Sequence, residues 1–185
     1  NSLHGFFEIL GEYTGRRIEG EEFERLARRL NTRVMELMRT DMRWRPGAEE
    51  LLAEIAETDT TVALVTNTTA EVAQVPLEFI DHSRFDVVVT GCMVPNGKPA
   101  PDPYLLACRQ LGLEPVRTVA VEDSVTGATS AVAAGCRVLY VPSTDGQPDV
   151  SGAHTHSTLA GVDLATLFSL TSRTPAAAVV GESGA

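Results

Sequence analysis

Four short apolar runs constrain the fold of this chain more than any other feature. Residues 62–65, 86–90, 118–121 and 137–141 are rich in valine, and none alternates polar with apolar residues as a half-solvated strand would. Runs of this length and make-up suit strands buried on both faces. Between them lie 71–80, 103–111 and 125–134, each long enough for the crossover helix that parallel neighbours require. Strand then helix, repeated, predicts an α/β fold built on a doubly wound, Rossmann-like parallel sheet. Asp102 is expected to cap the middle helix with Pro103 at its first position, and Ser124 to cap the helix after it.

Ahead of the first run, Phe23, Leu26, Leu30, Val34, Leu37 and Met38 recur at helical spacing, so residues 5–40 read as a helical hairpin. Arg45-Pro46-Gly47 interrupts it, and Leu51, Leu52 and Ile55 begin a new amphipathic helix at about residue 47. Residues 159–170 are expected to form a last helix. The organisation predicted is a partial helical cap over 1–44, the α/β core over 45–172, and a flexible C-terminal tail over 173–185, rich in small residues. Trp44 is expected to pack where cap meets core. A chain of 185 residues suits one core with a small accessory element.

Composition excludes several partners. With 15 basic against 25 acidic residues, the net charge is −10, a field that repels nucleic acid. The arginines at 25, 28, 29 and 33 alternate with Glu21, Glu22, Glu24 and Glu36, which reads as a solvated helix face. No apolar stretch approaches the roughly 18 residues a membrane span needs, so no membrane partner is expected. Cys92, Cys108 and Cys136 are scattered and odd in number, without zinc or disulfide spacing, which suits a reducing, cytoplasmic location. His154 and His156 fall in a polar loop and are expected to face solvent. Oligomeric state is not legible.

In an open parallel sheet, ligands bind at the carboxyl ends of the strands, where loops and helix N-termini converge. The residues that follow each run are therefore the candidates. After 62–65 come Thr66 and Asn67, a hydroxyl and an amide in a turn able to offer donors to an anion, or simply to cap a helix. After 86–90 comes Gly97-Lys98-Pro99, a lysine held between glycine and proline and suited to a phosphoryl oxygen or a carboxylate. After 118–121 come Glu122 and Asp123. Two adjacent carboxylates behind a buried strand are costly unless cations or donors compensate them, and a hard divalent cation such as Mg²⁺ would do so.

Taken in order, Leu64-Val65-Thr66-Asn67, Gly97-Lys98-Pro99-Ala100-Pro101-Asp102-Pro103-Tyr104 and Val121-Glu122-Asp123-Ser124, with Gly127 and Ala134-Gly135 beyond, resemble the haloacid dehalogenase superfamily. The resemblance is to its branch of phosphatases and β-phosphoglucomutase-like enzymes with a small helical cap, and it covers about residues 45–142. It implies that Thr66 and Asn67 bind the transferring phosphoryl group, that Lys98 steadies that group and the nucleophile, and that Asp123 binds Mg²⁺ with help from Glu122. It also implies a first core strand ending in Asp-x-Asp-Gly-Thr, whose first aspartate is the nucleophile. None of the nine aspartates is followed two places on by another, so that first core strand is absent from these residues.

The start at Asn1 instead of methionine fits a chain that opens inside the cap, N-terminally truncated, and inactive as given for lack of the nucleophile. The resemblance implies that the intact protein hydrolyses a small phosphorylated metabolite, a phosphomonoester, through a phosphoaspartyl intermediate with Mg²⁺ as cofactor. The alternatives are a hexose-phosphate mutase of the same family or a non-catalytic module that binds phosphate or a partner. A dehalogenase fits the acid pair less well, and no G-x-G-x-x-G follows any apolar run to suggest a dinucleotide site.

Overall fold

The structure, a computed structural model, describes residues 2–171 and 178–181. Two helices open the chain, α1 (Ser2–Thr14) and α2 (Gly20–Asp41). The buried ring of Phe7 meets Phe23 edge-on at 5.2 Å and closes the hairpin that the apolar spacing predicts. Lower on α2, Met38 packs against Val72 and Val75 of α4 (Ala70–Ile80), which seats the hairpin on the core.

The core follows with α3 (Ala48–Ala56), β1 (Val62–Val65), α4, β2 (Val87–Val89), α5 (Asp102–Leu111), β3 (Thr118–Glu122), α6 (Val125–Ala134), β4 (Arg137–Tyr140), β5 (His154–Thr155), α7 (Leu164–Thr171) and β6 (Ala178–Gly181). The six strands form one sheet in the order β2-β1-β6-β3-β4-β5, and every pair is parallel. Successive strand residues face opposite sides. Ala63, Val65, Ala120, Val138 and Tyr140 enter one apolar cluster with residues of α5 and α6. Val62, Val119 and Leu139 enter the other, with Leu51 and Ile55 of α3 and Leu167 of α7. Helices cover both faces, so the sheet is doubly wound, and the valine-rich runs are its buried strands.

Several local expectations shift. Helix α5 begins at Asp102 with Pro101 as its cap, one residue earlier than predicted, and Asp102 accepts a hydrogen bond from Asn96 Nδ2 at 3.2 Å in place of capping. Within 173–185, expected as a flexible tail, residues 178–181 form β6, paired on both sides between β1 and β3; the remainder of that stretch lies outside the described residues. A strand with partners on both edges gains two ladders, which outweighs the weak strand signal of a small-residue segment. Ser124 caps α6 as expected, accepting from Gly127 N at 3.0 Å. Cys108 and Cys136, far apart in sequence, are free buried thiols that both contact the Thr118 hydroxyl. No helix among the described residues is long and apolar enough to cross a membrane.

Candidate functional site

The carboxyl ends of β1 and β3 place the predicted residues on one edge of the sheet. Thr66, directly after β1, is buried; its backbone N–H donates to Val89 O at 2.9 Å, and its hydroxyl accepts from Thr68 N at 3.1 Å. The turn from 66 to 69 is thereby tightened before Thr69 caps α4, accepting from Val72 N.

Asn67 braces the lysine loop. Its Nδ2 donates to Lys98 O at 3.0 Å, and its Oδ1 accepts from Lys98 N at 2.8 Å. Both ends of one side-chain amide thus grip one residue across a sequence distance of 31. The amide expected to meet a phosphoryl group is occupied with holding Lys98.

Lys98 is 6% exposed, an unusual condition for an ammonium, and its partners account for it. Nζ donates to Val65 O at 2.9 Å, at the end of β1, and to Glu122 Oε1 at 2.7 Å, at the end of β3. It also lies 5.1 Å from the centroid of the Tyr104 ring, whose hydroxyl donates to the same Glu122 oxygen. The lysine therefore bridges the two strands, fixed by a carbonyl, a carboxylate and an aromatic face.

Glu122 and Asp123, expected to serve one cation together, go to different places. The Glu122 carboxylate is buried beside α6, where Gly127 leaves it room: a Cβ there would fall 1.9 Å from Oε2. Asp123, with its side chain 22% exposed, faces the segment between α2 and α3, where Arg45 Nη1 donates to Oδ2 at 3.1 Å. Arg45 Nη2 also donates to Pro142 O at 2.8 Å, just after β4. The divergence has a simple cause. Successive residues at a strand end point to opposite faces, so Glu122 turns toward α5 and α6 and Asp123 turns away. Among the described residues no group of three or more His, Cys, Asp or Glu side chains is placed to hold a metal ion.

A cavity of about 170 Å³ opens beside Asp123, bounded by Trp44, Arg45, Leu64, Phe79 and Val121. Trp44 meets Phe79 at 5.7 Å between ring centroids, so it packs where the hairpin joins the core. Burial, then the charges of Asp123 and Asp149, hold the Tyr140 phenol above its ordinary range; protonated, it donates to Gln147 Oε1 at 2.6 Å. His154 and His156 are exposed.

Arg45 and Tyr104 are the participants that sequence reasoning passed over. Tyr104 stands inside the lysine motif and carries a faint signal there, as a polar-tipped aromatic on the buried side of a helix. Arg45 carries none, since its partner is 78 positions away.

A doubly wound parallel sheet with a buried lysine, a hydroxyl and a part-buried carboxylate on its carboxyl edge places the molecule among the open α/β proteins, a class that binds ligands at the carboxyl ends of its strands. The haloacid dehalogenase-like hydrolase family model matches residues 4–141. The chain belongs to that family. It is 40% identical over 96 residues to hexitol phosphatase A of Escherichia coli (strain K12), a match over 52% of this chain and 44% of that protein. The chain thus spans about half the length of the curated relatives it matches. Among solved structures, CbbY from Rhodobacter sphaeroides in complex with phosphate superposes with a TM-score of 0.74 at 31% identity, over 79% of this chain and 68% of that one. A putative β-phosphoglucomutase from Thermotoga maritima gives 0.64 at 27% identity, over 83% and 72%.

Proposed function

We propose that the whole protein hydrolyses small phosphomonoesters, with the carboxyl edge of this sheet receiving the phosphoryl group. The observation that carries this is Lys98, a buried ammonium fixed between the ends of β1 and β3. A cation held so rigidly meets developing negative charge without reorganising, the condition under which electrostatic stabilisation is strongest. Thr66 carries a hydroxyl on the residue after Val65, whose carbonyl holds the ammonium. Asn67 acts by holding Lys98, and Glu122 by orienting the ammonium, so both position the group that meets the substrate.

The nucleophile in this reading is a carboxylate that these 185 residues do not supply in Asp-x-Asp-Gly-Thr form. Asp123 fits Mg²⁺, since it is an oxygen donor in reach of water, and Mg²⁺ takes one or two carboxylates while keeping several waters. Glu122 fits it poorly, because its carboxylate is buried against Lys98 and Tyr104. When bound, the metal would supply charge neutralisation at the phosphoryl oxygens.

A phosphosugar mutase is the second reading, favoured by the likeness to the putative β-phosphoglucomutase. Incubating the whole protein and Mg²⁺ with a panel of sugar and polyol phosphates separates the two. Release of inorganic phosphate supports hydrolysis, and an isomeric sugar phosphate without release supports the mutase. Neither product from any substrate contradicts both.

A further inference from the structure

Arg45 sits in the connection between α2 and α3, and both sides of it are anchored. Trp44 before it packs on Phe79. Gly47 after it has φ +86°, and a Cβ there would fall 2.1 Å from the backbone of Leu159, so the chain passes against residues 159–160 where no side chain fits. The guanidinium between these anchors forks to the Asp123 carboxylate and the Pro142 carbonyl. The Asp123 backbone is held independently, with its carbonyl accepting from Ser143 N at 3.0 Å. Arg45 therefore bears on the direction of the carboxylate and not on the course of β3.

The pair is part-buried, with side chains 34% and 22% exposed, so both groups reach water and an exchange of partners costs less desolvation than it would in the core. A guanidinium and a divalent cation on one carboxylate repel each other. We propose that Arg45 is the counter-ion that Asp123 exchanges for a divalent cation. In the cation-free protein the guanidinium holds the carboxylate. Cation binding displaces it and frees the connection between hairpin and core. Arg45 is thus a positioning residue, and it couples occupancy of the site to the posture of residues 42–47. The coupling is reciprocal, so loosening Arg45 tightens the cation by the same factor. The proposal rests on reading Asp123 as a cation ligand.

Trp44, the single tryptophan of these 185 residues, is a reporter one residue from Arg45. The test titrates Mg²⁺ into the whole protein by calorimetry and by Trp44 emission, for wild type, Arg45→Gln, Arg45→Lys and Asp123→Asn, with circular dichroism to confirm folding. Wild type is expected to change its Trp44 emission with the calorimetric midpoint. Arg45→Gln should bind Mg²⁺ about tenfold more tightly, with emission before Mg²⁺ already like that of the loaded wild type. Arg45→Lys should return the affinity toward wild type. Loss of binding in Asp123→Asn together with unchanged or weaker binding in Arg45→Gln overturns the role of Arg45 and leaves the ligand reading standing. Wild-type affinity in Asp123→Asn, or no Mg²⁺ uptake by wild type, overturns both.

Discussion

Glu122 and Asp123 are neighbours, and each holds a cationic side chain, yet the two pairs differ in kind. Lys98–Glu122 is 2.7 Å long with side chains 1% and 0% exposed; Val65 O accepts from the same ammonium and the Tyr104 hydroxyl donates to the same carboxylate oxygen. Arg45–Asp123 is 3.1 Å long and part-buried, with side chains 34% and 22% exposed. A buried pair of this sort is no large net gain over an apolar core, but removing one partner strands a charge where water does not reach. An exposed pair forms and breaks at little cost. One turn of the chain thus sets a fixed charge beside an exchangeable one. In the proposed function the first is the rigid cation for the anion and the second is the carboxylate that changes partners.

The difference can be broken from the buried side first. Glu122→Ala leaves the Lys98 ammonium without its carboxylate, and the expected loss of stability is about 3–5 kcal/mol in urea denaturation; a loss under 1 kcal/mol would show that the lysine finds water. Gly127→Ala comes next. Its methyl would lie 1.9 Å from Glu122 Oε2, so the carboxylate or helix α6 must shift. The expected cost is about 1–3 kcal/mol, together with weaker phosphate release. Wild-type stability and turnover in this variant would mean that the Glu122 pocket is looser than drawn. The smallest effect belongs to the more accessible Arg45–Asp123 pair. Arg45→Gln should change stability by about 1 kcal/mol or less, and that change should vanish in 1 M salt, where the Debye length falls to about 3 Å. The Glu122→Ala deficit should persist there. Thermal melts at low and high salt read both, and equal salt dependence would erase the distinction.

Much of this arrangement was legible in the sequence. The strands could be read because burial on both faces leaves valine-rich runs. The candidate residues Thr66, Asn67, Lys98, Glu122 and Asp123 came from the same pattern, because each lies in the segment after such a run and a fold of this kind binds ligands at strand ends. Assignment of roles was harder. Asn67 turned out to brace Lys98, and the acid pair split, because the pleat sends neighbouring side chains to opposite faces. Arg45 left no trace, since an ion pair spanning 78 positions has no periodicity. β6 escaped for a different reason: its strand character comes from neighbours on both edges, and Ala178-Val179-Val180-Gly181 has little pattern of its own. Gly127 was the missed clue. A glycine inside a helix costs about 1 kcal/mol relative to alanine, and here the room it leaves holds the Glu122 carboxylate.

In the proposed function the buried lysine is the cation that meets the phosphoryl group. Steady-state phosphate release by the whole protein with its best phosphomonoester, compared between wild type and Lys98→Ala, tests it most directly, with circular dichroism to confirm that the variant is folded. The expected result is a fall in kcat on the order of 10² to 10³. A folded Lys98→Ala protein that releases phosphate at the wild-type rate would contradict it.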